Sequence, residues 1–238
     1  MLMDKELYYW LKQIKGGTLD PHDVERALEY VRDLGGGLKT VRTYAQGVTI
    51  FGSARIPEGD KYYNKARELG KLLATNGHAV ITGGGPGIME AANRGAFEYG
   101  GRSIGLNITL EHEQNPNPYL TDTFKFKYFF ARKVMLAMSA KVYVFFPGGF
   151  GTLDELSEIL ILMQENKMPD MPMFLIGKNY WRPLERFFQG RMLKNKLISR
   201  GDLKIFKITD DINDVVRAAN KIGHPKLRTN IYDDFDKI

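Results

Sequence analysis

The chain has 238 residues, 43% of them hydrophobic, which suits one sizeable core with an appended segment better than two full domains. It has no cysteine, which excludes disulfides, thiolate metal sites and a cysteine nucleophile. A net charge of +6 favours anionic ligands, but the cations are dispersed with no basic stripe, so a nucleic-acid partner is not expected.

Met1–Trp10 carries acids and lacks the apolar core of a signal peptide, and no later run reaches the roughly 18 apolar residues of a membrane helix. The expected setting is therefore the cytoplasm, with no membrane partner. Residues 1–47 read as an N-terminal helical extension. Pro21 after Asp20 marks a helix start, and Val24, Leu28 and Val31 follow at helical spacing. Gly35-Gly36-Gly37 is expected to end this helix as a hinge.

From Val48 short strands and amphipathic helices alternate. Strands are expected at Val48–Phe51, His78–Ile81, Ser103–Leu106, Phe124–Phe129, Lys141–Phe146, Met173–Ile176 and Lys204–Ile208. Helices are expected at Tyr62–Asn76, Ile88–Tyr99, Arg132–Ser139, Leu153–Glu165, Tyr180–Met192 and Asp211–Ile222. A polar loop, Asn107–Asp122, interrupts the series. Near-continuous apolar strands alternating with helices predict an α/β fold over residues 48–223: a Rossmann-like, doubly wound parallel sheet with helices on both faces. Residues 224–238 read as a polar tail.

Three glycine-rich turns follow expected strands: Gly52-Ser53-Ala54-Arg55, Gly83–Gly87 and Pro147–Thr152. Ligands of open parallel sheets bind at the carboxyl ends of the strands, where main-chain N–H groups and helix N-termini face an anion. Gly52, Ser53, Gly84, Gly85, Gly87, Gly148, Gly149, Gly151 and Thr152 are therefore candidates for a phosphate cradle. Tight strand-to-helix turns are the alternative. Neither Gly-Lys pair, Gly70-Lys71 or Gly177-Lys178, has the surroundings of a P-loop. The dinucleotide fingerprint fails because Glu90 and Asp154 stand where its third glycine belongs. No cofactor and no metal is expected.

Two carboxylates and two cations complete the candidate set. Glu155 lies near the start of its helix, where Thr152-Leu153-Asp154-Glu155 equally fits a capping box. Glu90 is either a substrate contact or an acid that complements a helix dipole. Arg132-Lys133 open a helix, where cations oppose the dipole, a placement that suggests a site rather than local preference.

At this point the chain resembles a known family. Pro147-Gly148-Gly149-Phe150-Gly151-Thr152-Leu153-Asp154-Glu155 looks like the Pro-Gly-Gly-x-Gly-Thr-x-x-Glu motif of the Lonely Guy family. Arg132-Lys133 matches its Arg-Lys element, and Gly83–Glu90 resembles its first glycine motif. Members were long labelled lysine decarboxylases, yet no pyridoxal-phosphate lysine context is present. The resemblance implies a Rossmann-like homodimer, or an assembly of dimers, that cleaves purine nucleoside 5′-monophosphates, of the cytokinin type or AMP, to free base and ribose 5-phosphate. It makes Arg132 and Glu155 the catalytic pair and the glycine turns, with Thr152 and Lys133, the substrate site, with Glu90 near the ribose. The competing expectation is a non-catalytic nucleotide or phosphate-ligand binding protein similar to molybdenum-cofactor carriers.

Overall fold

The computed structural model describes residues 20–43, 47–109 and 115–222, together with the single residues Gln13 and Gly16. The expected polar tail 224–238 and most of the segment before residue 20 lie outside the described residues.

Seven parallel strands form one sheet: β1 (Gly47–Phe51), β2 (Val80–Thr82), β3 (Ser103–Ile108), β4 (Asp122–Phe126), β5 (Ala140–Phe145), β6 (Met173–Ile176) and β7 (Phe206–Thr209). Their order is β4-β3-β2-β1-β5-β6-β7. The chain winds outward from β1 through β4, then returns to lay β5 on the other side of β1, with Val48 opposite Val142 and Ile50 opposite Val144. The topological switch point thus falls between β1 and β5, where such sheets bind ligands.

Alternate residues of β1, β2, β5 and β6 feed two cores. Val48, Ile50, Val142, Val144, Phe174 and Ile176 face one layer with α2 (Lys61–Thr75), α3 (Ile88–Glu98) and α7 (Asn213–Ile222). Ile81, Ile104, Leu106, Tyr143, Phe145 and Leu175 face the other, beside α1 (Pro21–Thr43), α4 (Phe129–Met138), α5 (Phe150–Gln164) and α6 (Lys178–Phe187). Burial on both faces is why these strands read as unbroken apolar runs. No helix among the described residues is long and apolar enough to cross a membrane.

The structure differs from expectation in β4, which runs Asp122–Phe126 rather than Phe124–Phe129, and in four further places. α1 runs straight through Gly35-Gly36-Gly37 to Thr43, so the triple glycine is no hinge. A Cβ at Gly36 would lie 2.3 Å from the Phe124 ring, and one at Gly37 2.5 Å from Met135 Cγ. Two of the glycines bring the helix close to β4 and α4, an advantage that offsets their poor helix propensity of about 1 kcal/mol each. The helix also turns a different face inward: Leu28 and Val31 are exposed, while Asp33, Gly37 and Val41 are buried. α4 and α5 each begin three residues before their expected starts, at Phe129 and Phe150. The expected helix Tyr180–Met192 continues beyond α6 only as a π-helical turn, Phe188–Leu193.

Candidate active site

The three glycine turns follow β1, β2 and β5, which are neighbours in the sheet, so they stand side by side on its carboxyl edge. Backbone bonds tie them into one unit. Ser53 N–H donates to Pro147 O (3.0 Å), and Ile88 N–H donates to Ser53 O (3.0 Å). The Ser53 hydroxyl turns back to accept from Arg55 N–H at 3.0 Å.

Although they look alike in sequence, the turns are filled differently. A Cβ at Gly83 would sit 2.0 Å from Arg132 Nη2, one at Gly84 2.4 Å from Asn107 Oδ1, and one at Gly87 2.3 Å from Ser53 O. Gly87 also has φ +70°, in the left-handed region that glycine adopts without strain. This turn is held by a buried polar network. Asn93 Oδ1 accepts from Thr82 Oγ1 (2.5 Å) and Asn117 Nδ2 (3.0 Å), while Asn117 N–H donates to Gly84 O (2.9 Å). By contrast, a Cβ at Gly149 or Gly151 would meet nothing within 4 Å. Gly149 is the N-cap of α5 and provides no capping side chain, and Gly149, Phe150 and Gly151 are all exposed, so the start of that helix is left bare.

Because α5 begins at Phe150, Thr152 is its third residue and Glu155 lies in the second turn. The capping-box alternative for this pair is removed. Thr152 is buried, its hydroxyl 2.1 Å from where a Gly148 Cβ would stand. Glu155 points inward, and burial pushes its carboxyl up from 4.5 to about 7, with Arg132 opposing the rise.

Arg132 is likewise in the second turn of its helix, so a clash with the helix dipole is not what distinguishes it. Burial is. Its side chain is 11% exposed, and Nε donates to Leu106 O at 2.6 Å and Nη2 to Gly83 O at 3.4 Å. Nη1 stands 3.9 Å from Glu155 Oε1. Desolvation draws the guanidinium below its ordinary value and Glu155 partly restores it, yet an arginine remains charged. Lys133 goes elsewhere: Nζ pairs with Asp154 (2.9 Å) and Glu158 (3.4 Å), fastening α4 to α5. Glu90, in the first turn of α3, accepts from the Tyr63 hydroxyl at 2.8 Å. Burial pushes that phenol up to about 12, so it stays a donor.

Sequence reasoning missed the residues that support this site. Asp33 of α1 is buried and accepts from Lys127 N–H (2.8 Å) and Tyr128 N–H (2.9 Å), immediately before α4. Tyr128, the N-cap of α4, offers no capping bond of its own. The extension thus caps the helix that carries Arg132. A separation of 94 residues leaves no local signal for such a bond.

The family model described as "Possible lysine decarboxylase" matches residues 89–219, more than half of the chain. The chain belongs to this family, the Lonely Guy family named above. One relative of this Lonely Guy chain is the pyrimidine/purine nucleotide 5′-monophosphate nucleosidase of Escherichia coli K12, 30% identical over 203 residues. That match takes in 79% of the chain but only 43% of the nucleosidase, so the chain spans under half the length of that relative. The cytokinin riboside 5′-monophosphate phosphoribohydrolase of Rhodococcoides fascians is 27% identical over 153 residues, covering 62% of this chain and 76% of its own. Among solved structures, the molybdenum cofactor carrier protein of Chlamydomonas reinhardtii superposes with a TM-score of 0.57 at 24% identity, over 75% of this chain and 98% of its own. At that identity the likeness concerns the fold alone.

Proposed function

We propose that this protein hydrolyses the N-glycosidic bond of a nucleoside 5′-monophosphate, with a purine such as adenine or an N6-modified adenine as the base. The observation that carries the proposal is the meeting of Glu155 and Arg132, 3.9 Å apart and both largely buried, beside an exposed helix start with no capping side chain and open space at Gly149 and Gly151. The names of the Escherichia coli and Rhodococcoides fascians relatives support the reaction class.

The 5′-phosphate rests on the N–H groups of Gly149, Phe150 and Gly151, where the helix dipole favours negative charge. As the C1′–N bond breaks, positive charge grows on the ribose, and ionised Glu155 stabilises it. Water forms the new bond to C1′. Glu155 takes the proton that this water loses, and the departing base leaves with the bonding pair and is then protonated. Arg132 holds the negative charge on the base. A carboxyl group near 7 is suited to both taking and returning a proton at neutral pH.

Exposed Phe129, Phe130 and Val134 on α4 and Ile161 on α5 suit a face for a second copy, and the proposed form is a homodimer. Light scattering in solution tests this, with a monomer at all concentrations as the contrary result. For the reaction, purified protein is incubated with a panel of nucleoside 5′-monophosphates and the matching nucleosides, beside Glu155→Gln, and products are separated by chromatography. Free base from the monophosphates alone, lost in the variant, is the expected result. Nucleotide binding without base release, indifferent to Glu155→Gln, would instead make this a carrier.

A further inference from the structure

Three successive carbonyls in the turn after β5 are each held by a donor. Pro147 O accepts from Ser53 N–H at 3.0 Å, and Gly149 O accepts from Leu153 N–H at 3.1 Å as α5 begins. Between them, Gly148 O accepts from the hydroxyl of Tyr180. In a trans peptide the N–H points opposite to the C=O. Holding these three carbonyls therefore orients the N–H groups of Gly148, Gly149 and Phe150 the other way. Among the described residues, the N–H groups of Gly148 and Gly149 have no acceptor.

The outer two carbonyls are held by backbone groups that the sheet and the helix supply in any case. Only the middle one depends on a side chain. It also belongs to the peptide most able to turn over, because glycine flanks it on both sides and little steric cost opposes the flip. Turned over, that peptide would present a carbonyl oxygen to an anion in place of an N–H.

Tyr180 comes from the first turn of α6, the helix after β6, and β6 is the neighbour of β5. The adjacent Trp181 is buried and donates from Nε1 to Ile176 O at 3.1 Å. The Tyr180 ring packs edge-on against it, with centroids 4.9 Å apart. This packing places the hydroxyl even though the residue is 42% exposed.

We propose that Tyr180 is a positioning residue whose hydroxyl locks the Gly148–Gly149 peptide with its N–H toward the substrate phosphate. The proposal rests on the phosphate site described under Proposed function and adds a residue outside the glycine motif to it. Tyr180→Phe keeps the ring and its packing on Trp181 and removes only the hydroxyl.

The test measures AMP turnover, inhibition by ribose 5-phosphate and by free adenine, and calorimetric AMP binding, for wild type and Tyr180→Phe. The variant is expected to melt with the wild type. It should raise KM for AMP, the inhibition constant of ribose 5-phosphate and the AMP dissociation constant about three- to tenfold, the worth of one hydrogen bond. kcat should change less than twofold and adenine inhibition not at all. Equal AMP affinity in the two proteins overturns the proposal, as does an equal weakening of ribose 5-phosphate and adenine. If wild type releases no base yet binds AMP, the hydrolase proposal fails while the binding comparison still decides the role of Tyr180. Absence of AMP binding by wild type overturns both.

Discussion

The turns after β2 and β5 are both rich in glycine, and the fold puts Gly83, Gly84 and Gly87 of the first and Gly149 and Gly151 of the second to opposite uses. In Gly83–Gly87 the missing side chains are replaced by the protein itself, by the Arg132 guanidinium, the Asn107 amide and the Ser53 carbonyl. In Pro147–Thr152, Gly149 and Gly151 face open space. A glycine whose Cβ would collide is needed for folding. One whose Cβ would meet nothing is either incidental or leaves room for a ligand, and two of them at a bare helix start favour the ligand. Substitution separates these cases.

The largest effect is expected at the chemistry beside the open turn. Glu155→Gln should lower kcat by about 10²–10⁴ in steady-state assays while the protein stays folded. An intact rate would remove Glu155 from the reaction.

In the filled turn, Gly87→Ala combines a left-handed φ of +70° with a Cβ 2.3 Å from Ser53 O. It should lose about 2–4 kcal/mol in urea unfolding. A change under about 0.5 kcal/mol would show that the filled turn yields more readily than its packing indicates.

Asp33→Ala removes the acceptor for Lys127 and Tyr128 N–H, at a cost of about 1–2 kcal/mol. Because the cap serves the helix that carries Arg132, kcat should fall as well at temperatures where the variant remains folded. Loss of stability with unchanged kcat would confine α1 to a packing role.

Gly151→Ala is expected to be smallest in stability and opposite in sign. Alanine inside a helix is favoured by about 0.5–1 kcal/mol, so the melting temperature should hold or rise, while KM for the monophosphate increases. An unchanged KM would mean that the open space is not where the phosphate binds.

pH should resolve the same site. Folding raises the Glu155 carboxyl from 4.5 to about 7, so the folded chain holds this proton more tightly than the unfolded one. Its contribution to stability is complete below about 4.5, declines between there and about 7, and is absent above. Activity that needs the carboxylate runs the other way, rising through about 7. Denaturation and rate profiles of wild type beside Glu155→Gln measure both limbs, and parallel profiles for the two proteins would rule out Glu155 as their source.

Hydrophobic patterning was enough to read the order of strands and helices, because burial on both sheet faces makes the inner strands apolar runs with turn residues at their ends, while the edge strands β4 and β7 alternate apolar and polar residues. The motif at Pro147–Glu155 and the pair Arg132-Lys133 were visible for the same reason that they resemble a family: both are short and contiguous. Which glycines are filled, why α1 passes through three of them, where Lys133 points and what caps α4 depend on residues dozens of positions away. Asp33 meets Tyr128 across 95 residues, and Tyr180 meets Gly148 across 32. Periodicity reports only which face of an element is apolar. The partner on that face, and whether a gap beside it is packed or left for a ligand, is set when the layers close.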